Sequence, residues 1–273
     1  MMLNKDKLKI YLIMMVLLNM GFMILIPFDL LGHKNEVFRL MAGFILFIFV
    51  TLHGEQRYGW ERIVIFFFIT FFITFSLENL SITTGFPFGY YHYSDLLGTT
   101  LGHVPIMVMP TYFFTGYLAW TMGSVFLGDM GRGIKKRNIF FIPLVSSFIM
   151  VIWDFCFEPI MSTIDGKWSW EGSGVYFGIP LSNYIGWFLT MYIIYQLFAL
   201  FLYKFSIDEK IAQNKTYWYV VPLMFISQGI PYLIHPFIQN NNLNIYWSSF
   251  IATIATMILI SLVNLIFIKK IYK

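Results

Sequence analysis

The chain has 273 residues, 58% of them hydrophobic and 12% charged, with a mean hydropathy of +0.70. A water-soluble domain carries roughly a quarter charged residues, so this composition excludes a fold solvated by water alone. The formal net charge of +4 does not signal a nucleic-acid partner, because the 18 Lys and Arg are scattered between long apolar runs and form no basic face.

A helix crossing the hydrocarbon core needs about 20 mostly apolar residues. Eight such runs follow one another: 8–28, 37–52, 61–77, 104–127, 138–157, 181–203, 217–234 and 246–268. The first follows Lys5, Lys7 and Lys9 as a signal peptide would, but it lacks a small-residue cleavage site and is too long for a signal core. It is therefore read as a span, and the second run, the shortest, is the weakest of the eight. Cys156, the single cysteine, sits inside the fifth run, which leaves no disulfide framework or multi-cysteine metal site. No internal repeat or Gly/Ser linker interrupts the series.

Orientation follows from charge, because cytoplasmic loops collect Lys and Arg. One alternate set of segments holds Lys5, Lys7, Lys9, Arg57, Arg62, Arg132, Lys135, Lys136, Arg137, Lys204, Lys210, Lys215, Lys269, Lys270 and Lys273. The other holds Lys34 and Lys167, an asymmetry of fifteen to two. The expected architecture is all-α: a single polytopic membrane domain over 1–273, a bundle of about eight transmembrane helices with both termini cytoplasmic. The outer loops are then 78–103, 158–180 and 235–245, rich in Gly, Pro and aromatics. Gly85, Pro87, Gly89, Gly98, Gly102 and Pro105 break any helix across the first, which is expected to cap the bundle as a re-entrant or surface-hugging segment. The second, 158–180, is the other outer loop of the domain.

Ionisable groups inside a span are costly and have a partner or a job. Glu78 and Asn79 close the third run in Ser-Leu-Glu-Asn-Leu-Ser, and Asp154 and Glu158 lie in Trp-Asp-Phe-Cys-Phe-Glu-Pro. Asn183 opens the sixth run, Gln228 lies in the seventh and His235 closes it. All but Gln228 fall near the outer boundary, so three carboxylates are placed to converge. Asp154 and Glu158, four residues apart, share one helix face. Two carboxylates that close in a poorly hydrated site do not both ionise easily, so one is expected to keep a proton, as a general acid needs. The plainer reading of such groups is interhelical hydrogen bonding, and it is preferred for Gln228 and His235. Glu78 and Asp154, set in Phe-rich runs, are the stronger functional candidates.

The segment Thr84 to Tyr93, Thr-Gly-Phe-Pro-Phe-Gly-Tyr-Tyr-His-Tyr, is dense in aromatics. An interfacial aromatic belt explains its tyrosines. Its glycines and proline fix a backbone path, which favours a substrate-contacting cap. Histidines 33, 53, 92, 103 and 235 form no pair at helical spacing, against a di-iron oxygenase, and there is no GxGxxG, P-loop or nucleophilic-serine motif.

In order, Leu-Glu-Asn with the Thr84–Tyr93 segment, Leu-Gly-His-Val-Pro (101–105), Trp-Asp-Phe-Cys-Phe-Glu-Pro (153–159), Trp-Ser-Trp (168–170) and Tyr-Phe-Gly-Ile-Pro-Leu-Ser-Asn-Tyr-Ile-Gly-Trp (176–187) resemble a family of multi-spanning carotenoid biosynthesis proteins. These are the CruF-type carotenoid hydratases, a group that takes in gamma-carotene 1'-hydroxylase and bisanhydrobacterioruberin hydratase. One departure is Glu158, where the family pattern carries Asp before the Pro; the carboxylate is kept and its reach lengthened.

The resemblance implies addition of water to the terminal double bond of an acyclic carotenoid end group, giving a tertiary alcohol with no metal or redox cofactor. Carboxylic-acid protonation of a trisubstituted alkene fits that reaction. Asp154 or Glu78 is expected to deliver the proton, with Glu158 assisting that acid or orienting the water. Asn79 and Asn183 are expected to hold water. Tyr91, Tyr93 and Trp187 are expected to line the end-group pocket, with His92 and His103 among the substrate- or water-binding residues. The implied partners are a carotenoid or other long isoprenoid polyene and the lipid bilayer, with other pathway enzymes left open. An isomerase or cyclase using the same acid, and a lipid carrier, are the competing classes. A carrier predicts paired broken helices and internal repeats.

Overall fold

The computed structural model describes residues 5–28, 30, 36–205 and 215–272. His33, Lys34, Lys210, Lys273 and the side chain of Lys5 lie outside the described residues. Within them, eight long helices form the bundle: α1 (Lys5–Leu25), α2 (Glu36–Tyr58), α3 (Trp60–Thr84), α4 (Val108–Phe126), α5 (Asn138–Glu158), α6 (Leu181–Lys204), α7 (Lys215–Ile238) and α8 (Leu243–Ile271). Seven of these are long and apolar enough to cross a membrane. The chain is a multi-pass membrane protein with an all-α fold, as its hydropathy predicts.

The exception, α4, is the central helix. Every residue from Tyr112 to Val125 is buried, so its Thr, Tyr, Gly and Ser positions meet protein instead of lipid. A helix enclosed on all sides does not need an apolar outer face. It packs on α3, α5 and α7, and Gly123 lies so close to Ser146 of α5 that a Cβ would not fit. Phe66 of α3 and Phe198 of α6 meet at 4.7 Å, and Trp120 of α4 closes on Phe198 at 5.3 Å. Large apolar side chains such as Leu17, Phe44, Phe72, Phe148 and Ile251 point outward, as a lipid-facing surface requires.

The Lys- and Arg-rich loops gather at one end. There Arg57 donates to the carbonyls of Asp129 and Gly131, and Arg62 to that of Phe205. At the other end two short antiparallel ribbons form. Strand β1 (Tyr91–Tyr93) pairs with β4 (Trp168–Trp170), and β2 (Thr100–Leu101) with β3 (Val104–Pro105).

These ribbons correct the expected loop bounds. Helix α3 continues to Thr84, where Gly85 at φ 77° donates its N–H to Ser81 O and ends it. The cap therefore starts at 85 instead of 78, which leaves Glu78 more than a turn inside the helix. Helix α5 runs on through a π-type segment, Pro159–Ile164, so the second outer loop begins at 165 instead of 158. Helix α4 starts at Val108 instead of 104, because Val104 and Pro105 are taken by β3. The third outer loop shrinks to 239–242, bounded by Ile238 and Leu243.

Candidate functional site

Strand alternation builds the cap side of the site. Tyr91 stands opposite Trp170 and Tyr93 opposite Trp168, with His92 and Ser169 between them. Successive side chains of a strand point to opposite faces, so the two tyrosines and two tryptophans turn inward together and His92 turns out.

The inward tyrosines meet Glu78. The hydroxyls of Tyr91 and Tyr93 both donate to its Oε2, the second at 3.0 Å, and Tyr112 of α4 donates to its Oε1 at 2.7 Å. Burial first, and then the negative charge of Glu78, hold the Tyr91 and Tyr93 hydroxyls well above the usual phenol value of 10.0. They therefore remain protonated donors. The inward tryptophans meet Glu158 at the end of α5: the indole N–H groups of Trp168 and Trp170 both donate to its Oε1, at 2.6 and 2.8 Å. Neither indole engages the other oxygen.

Asp154 lies one turn deeper. Its Oδ2 accepts from the side-chain amide of Asn183 at 2.9 Å, and its buried Oδ1 has no hydrogen-bond partner among the described residues.

Between these groups is a cavity of about 170 Å³ lined by Glu78, Glu158 and Asn183 and otherwise mostly by aromatic and aliphatic side chains. Trp187 and Tyr112 stack as parallel plates, 4.1 Å apart and 2° from coplanar, and Trp153 meets Trp187 edge-on at 5.9 Å. On the same measure a single water needs about 10–15 Å³. The space therefore accepts a branched apolar end group together with water. Its rim includes Leu97 and the half-exposed Met107.

Of the residues singled out in the sequence, Glu78, Glu158, Tyr91, Tyr93, Asn183 and Trp187 come together on this cavity. Asp154 stands behind Asn183. Three do not join them. His92 is exposed on the outer face of the ribbon and pairs with Glu171 at 2.5 Å. His103 is exposed, and its main-chain N–H donates to Asn79 Oδ1 at 3.0 Å. Asn79 also donates to Phe75 O at 2.8 Å, so it fastens the 101–105 turn to α3. Tyr112, Trp168 and Trp170 carry hydrogen bonds that were not foreseen. The spacing of Trp-Ser-Trp is the one available signal, since alternate residues of a strand share a face; a lone Tyr in a membrane helix gives none. Among the described residues, no group of three or more His, Cys, Asp or Glu is arranged to hold a metal ion.

Carboxylates on one apolar cavity, each held by neutral donors, are equipped to give a proton to a bound molecule and to take one back. Comparison with known proteins bears on which molecule. A bisanhydrobacterioruberin hydratase from Haloarcula japonica is 28% identical over 138 residues, covering 50% of this chain and 43% of that protein. The aligned part is thus less than half of the relative's length. No solved structure matches the chain. Residues 34–265 match the family model described as carotenoid biosynthesis protein. That match takes in every residue on the cavity, and the chain belongs to the carotenoid biosynthesis protein family.

Proposed function

We propose that the protein is a carotenoid hydratase of the cell membrane, adding water across the terminal 1,2 double bond of an acyclic end group to give a tertiary alcohol. The observation that carries this reading is the pair of carboxylates, Glu78 and Glu158, reaching one aromatic cavity at the loop-capped end of the bundle.

The proton starts on the Glu158 oxygen that the indoles leave free. It passes to C2 of the alkene as the π electrons form the C2–H bond, leaving a tertiary cation at C1. Aromatic faces attract cations, and the Tyr112–Trp187 stack supplies such faces beside the cavity. Asp154 accepts the amide N–H of Asn183, which leaves the amide oxygen to hold a water. That water forms the C1–O bond, and its surplus proton goes to Glu78, whose charge the three tyrosine hydroxyls stabilise until then. Return of the proton from Glu78 to Glu158 through solvent resets the site. In this assignment Glu158 takes the donor role first expected of Asp154 or Glu78, because Asp154 is screened from the cavity by Asn183.

The cavity takes an end group, so the remainder of the polyene runs out past Leu97 and Met107 toward the lipid. The charge asymmetry supports a site at the outer leaflet. Expression in a host that accumulates lycopene or a shorter acyclic carotenoid, followed by mass analysis of the pigments, tests the proposal. A 1-hydroxy product heavier by one water is expected. New pigment of unchanged mass would instead identify an isomerase or cyclase, and unaltered pigments would point to a carrier.

A further inference from the structure

Arg39 and Lys167 are basic residues at the end opposite the Lys- and Arg-rich loops, and both are engaged in ion pairs. Lys167 Nζ lies 2.7 Å from Glu36 Oε1, with its side chain 3% exposed. Arg39 Nη2 donates to Asp165 Oδ2 at 2.8 Å, and its Nη1 reaches Met161 Sδ at 3.3 Å. Arg39 Nε is also 4.0 Å from Glu36 Oε1, which joins the four charges into one network. It links the first turn of α2 to the turn that follows α5, more than 120 residues away in sequence.

That turn leads directly to the indoles on Glu158. The N–H of Lys167 donates to Met161 O at 2.9 Å, and its carbonyl accepts from both the N–H and the hydroxyl of Ser94 at 3.0 Å. The next residue, Trp168, opens β4. Met161 itself lines the cavity. Residue 167 is thus fixed through its side chain to α2, through its N–H to the π-type segment, and through its carbonyl to the β1 side of the cap.

We infer that Glu36, Arg39, Asp165 and Lys167 form a positioning clamp, setting β4 against α5 so that both indole N–H groups fall on one oxygen of Glu158. The reasoning is geometric. Apolar packing tolerates sliding, whereas the charge-assisted hydrogen bond of Arg39 to Asp165 fixes direction and the close Lys167–Glu36 ion pair fixes distance in a poorly hydrated region. The clamp's effect on turnover rests on the hydratase reading; its effect on the indoles does not.

Removing a single partner strands a charge and threatens folding, so the informative variant neutralises a pair: Glu36→Gln with Lys167→Met. It is expected to fold, to keep its KM, and to lose about tenfold in kcat through misplacement of the donors. Lys167→Arg, which preserves the pair, should retain most of the activity. Ultraviolet resonance Raman spectra, with the bands of Trp168 and Trp170 assigned by their Phe variants, should show weaker indole N–H hydrogen bonding in the neutralised pair. If those bands are unchanged in the folded variant, the clamp is overturned. Shifted bands with wild-type kcat would overturn its link to turnover. Wild-type protein that makes no hydrated pigment removes the hydratase reading, while the indole bands still decide the clamp.

Discussion

Two buried polar clusters occupy opposite ends of this bundle, and they are satisfied in different ways. At the Lys- and Arg-rich end, His53 donates from Nε2 to the main-chain carbonyl of Tyr217 at 3.0 Å, so its Nδ1 is the acceptor of the Tyr117 hydroxyl at 2.7 Å. Tyr217 returns a hydrogen bond to the His53 carbonyl and stacks on the imidazole at 3.9 Å. Arg57 donates to two more carbonyls, with its guanidinium over the rings of Tyr58 and Trp218. Here most of the bonds run from side chain to main chain, which ties helices and loops together. At the capped end, the donors to all three carboxylates are side chains, and two of those carboxylates reach a cavity. A cluster that bonds backbone has its geometry settled by the fold; one that bonds side chains around a space keeps lone pairs for a visitor.

The sharpest way to break this division is to remove the proton carriers. Glu158→Gln keeps an acceptor for both indoles, and Glu78→Gln keeps one for the tyrosines, so both variants are expected to fold. Each should lose about 10²- to 10⁴-fold in hydration rate, the range for a general acid or base, measured as hydroxylated pigment per unit of folded protein. Wild-type product from both would dissolve the distinction between the two ends.

The converse change at the other end should cost stability and spare chemistry. Arg57→Met leaves the carbonyls of Asp129 and Gly131 without their donor, at about 1–3 kcal/mol for each buried group left unsatisfied. Thermal unfolding in detergent should show that loss, with turnover per folded molecule unchanged. Reduced turnover at wild-type stability would mean that this end also takes part in the reaction.

A smaller effect separates two tyrosines on the same helix. Tyr112→Phe deletes one of three donors to Glu78 while keeping the ring against Trp187. A hydrogen bond to a charged group is worth about 1.5–3 kcal/mol, so kcat should fall about tenfold or more. Tyr117→Phe, which removes the donor to His53, should leave kcat as it was. Equal effects in the two variants would erase the functional contrast.

The bundle was legible because hydrophobic length is a strong signal, and each of the eight runs corresponds to a helix. Boundaries were not, because the run 61–77 ends where polar residues begin, while the helix goes on until Gly85 supplies a left-handed cap. The carboxylates stood out because a membrane helix carries few charges without reason. Which of them faces the cavity depends on rotation and on Asn183 standing in front of Asp154, and spacing alone does not encode that. His92 was misplaced for a local reason: the period of two that turns Tyr91 and Tyr93 inward turns His92 out, and a three-residue strand among glycines leaves little pattern to read. Lys167 was visible only as an irregularity in the charge asymmetry and Arg39 only as a charge inside the second apolar run, since Glu36 lies far in sequence from Lys167 and Asp165 far from Arg39.

The smallest expected effect concerns alkaline pH and the cap alone. Tyr91 and Tyr93 have hydroxyls held well above 10.0 in the folded protein, chiefly by burial and then by the Glu78 charge. A group whose folded value is raised contributes stability that is fully present below its unfolded value and is lost as pH climbs toward the folded one. Between neutrality and about pH 9 these phenols should therefore leave stability flat; above about pH 10 the unfolded chain releases their protons and the folded state loses ground. Unfolding midpoints followed from about pH 8 to about pH 11 should fall less steeply in the Tyr91→Phe, Tyr93→Phe double variant than in the wild type, with the difference confined to the alkaline limb. Equal slopes would mean that the two phenols ionise as freely in the folded cap as in the unfolded chain, and would remove the reason for treating them as fixed donors to Glu78.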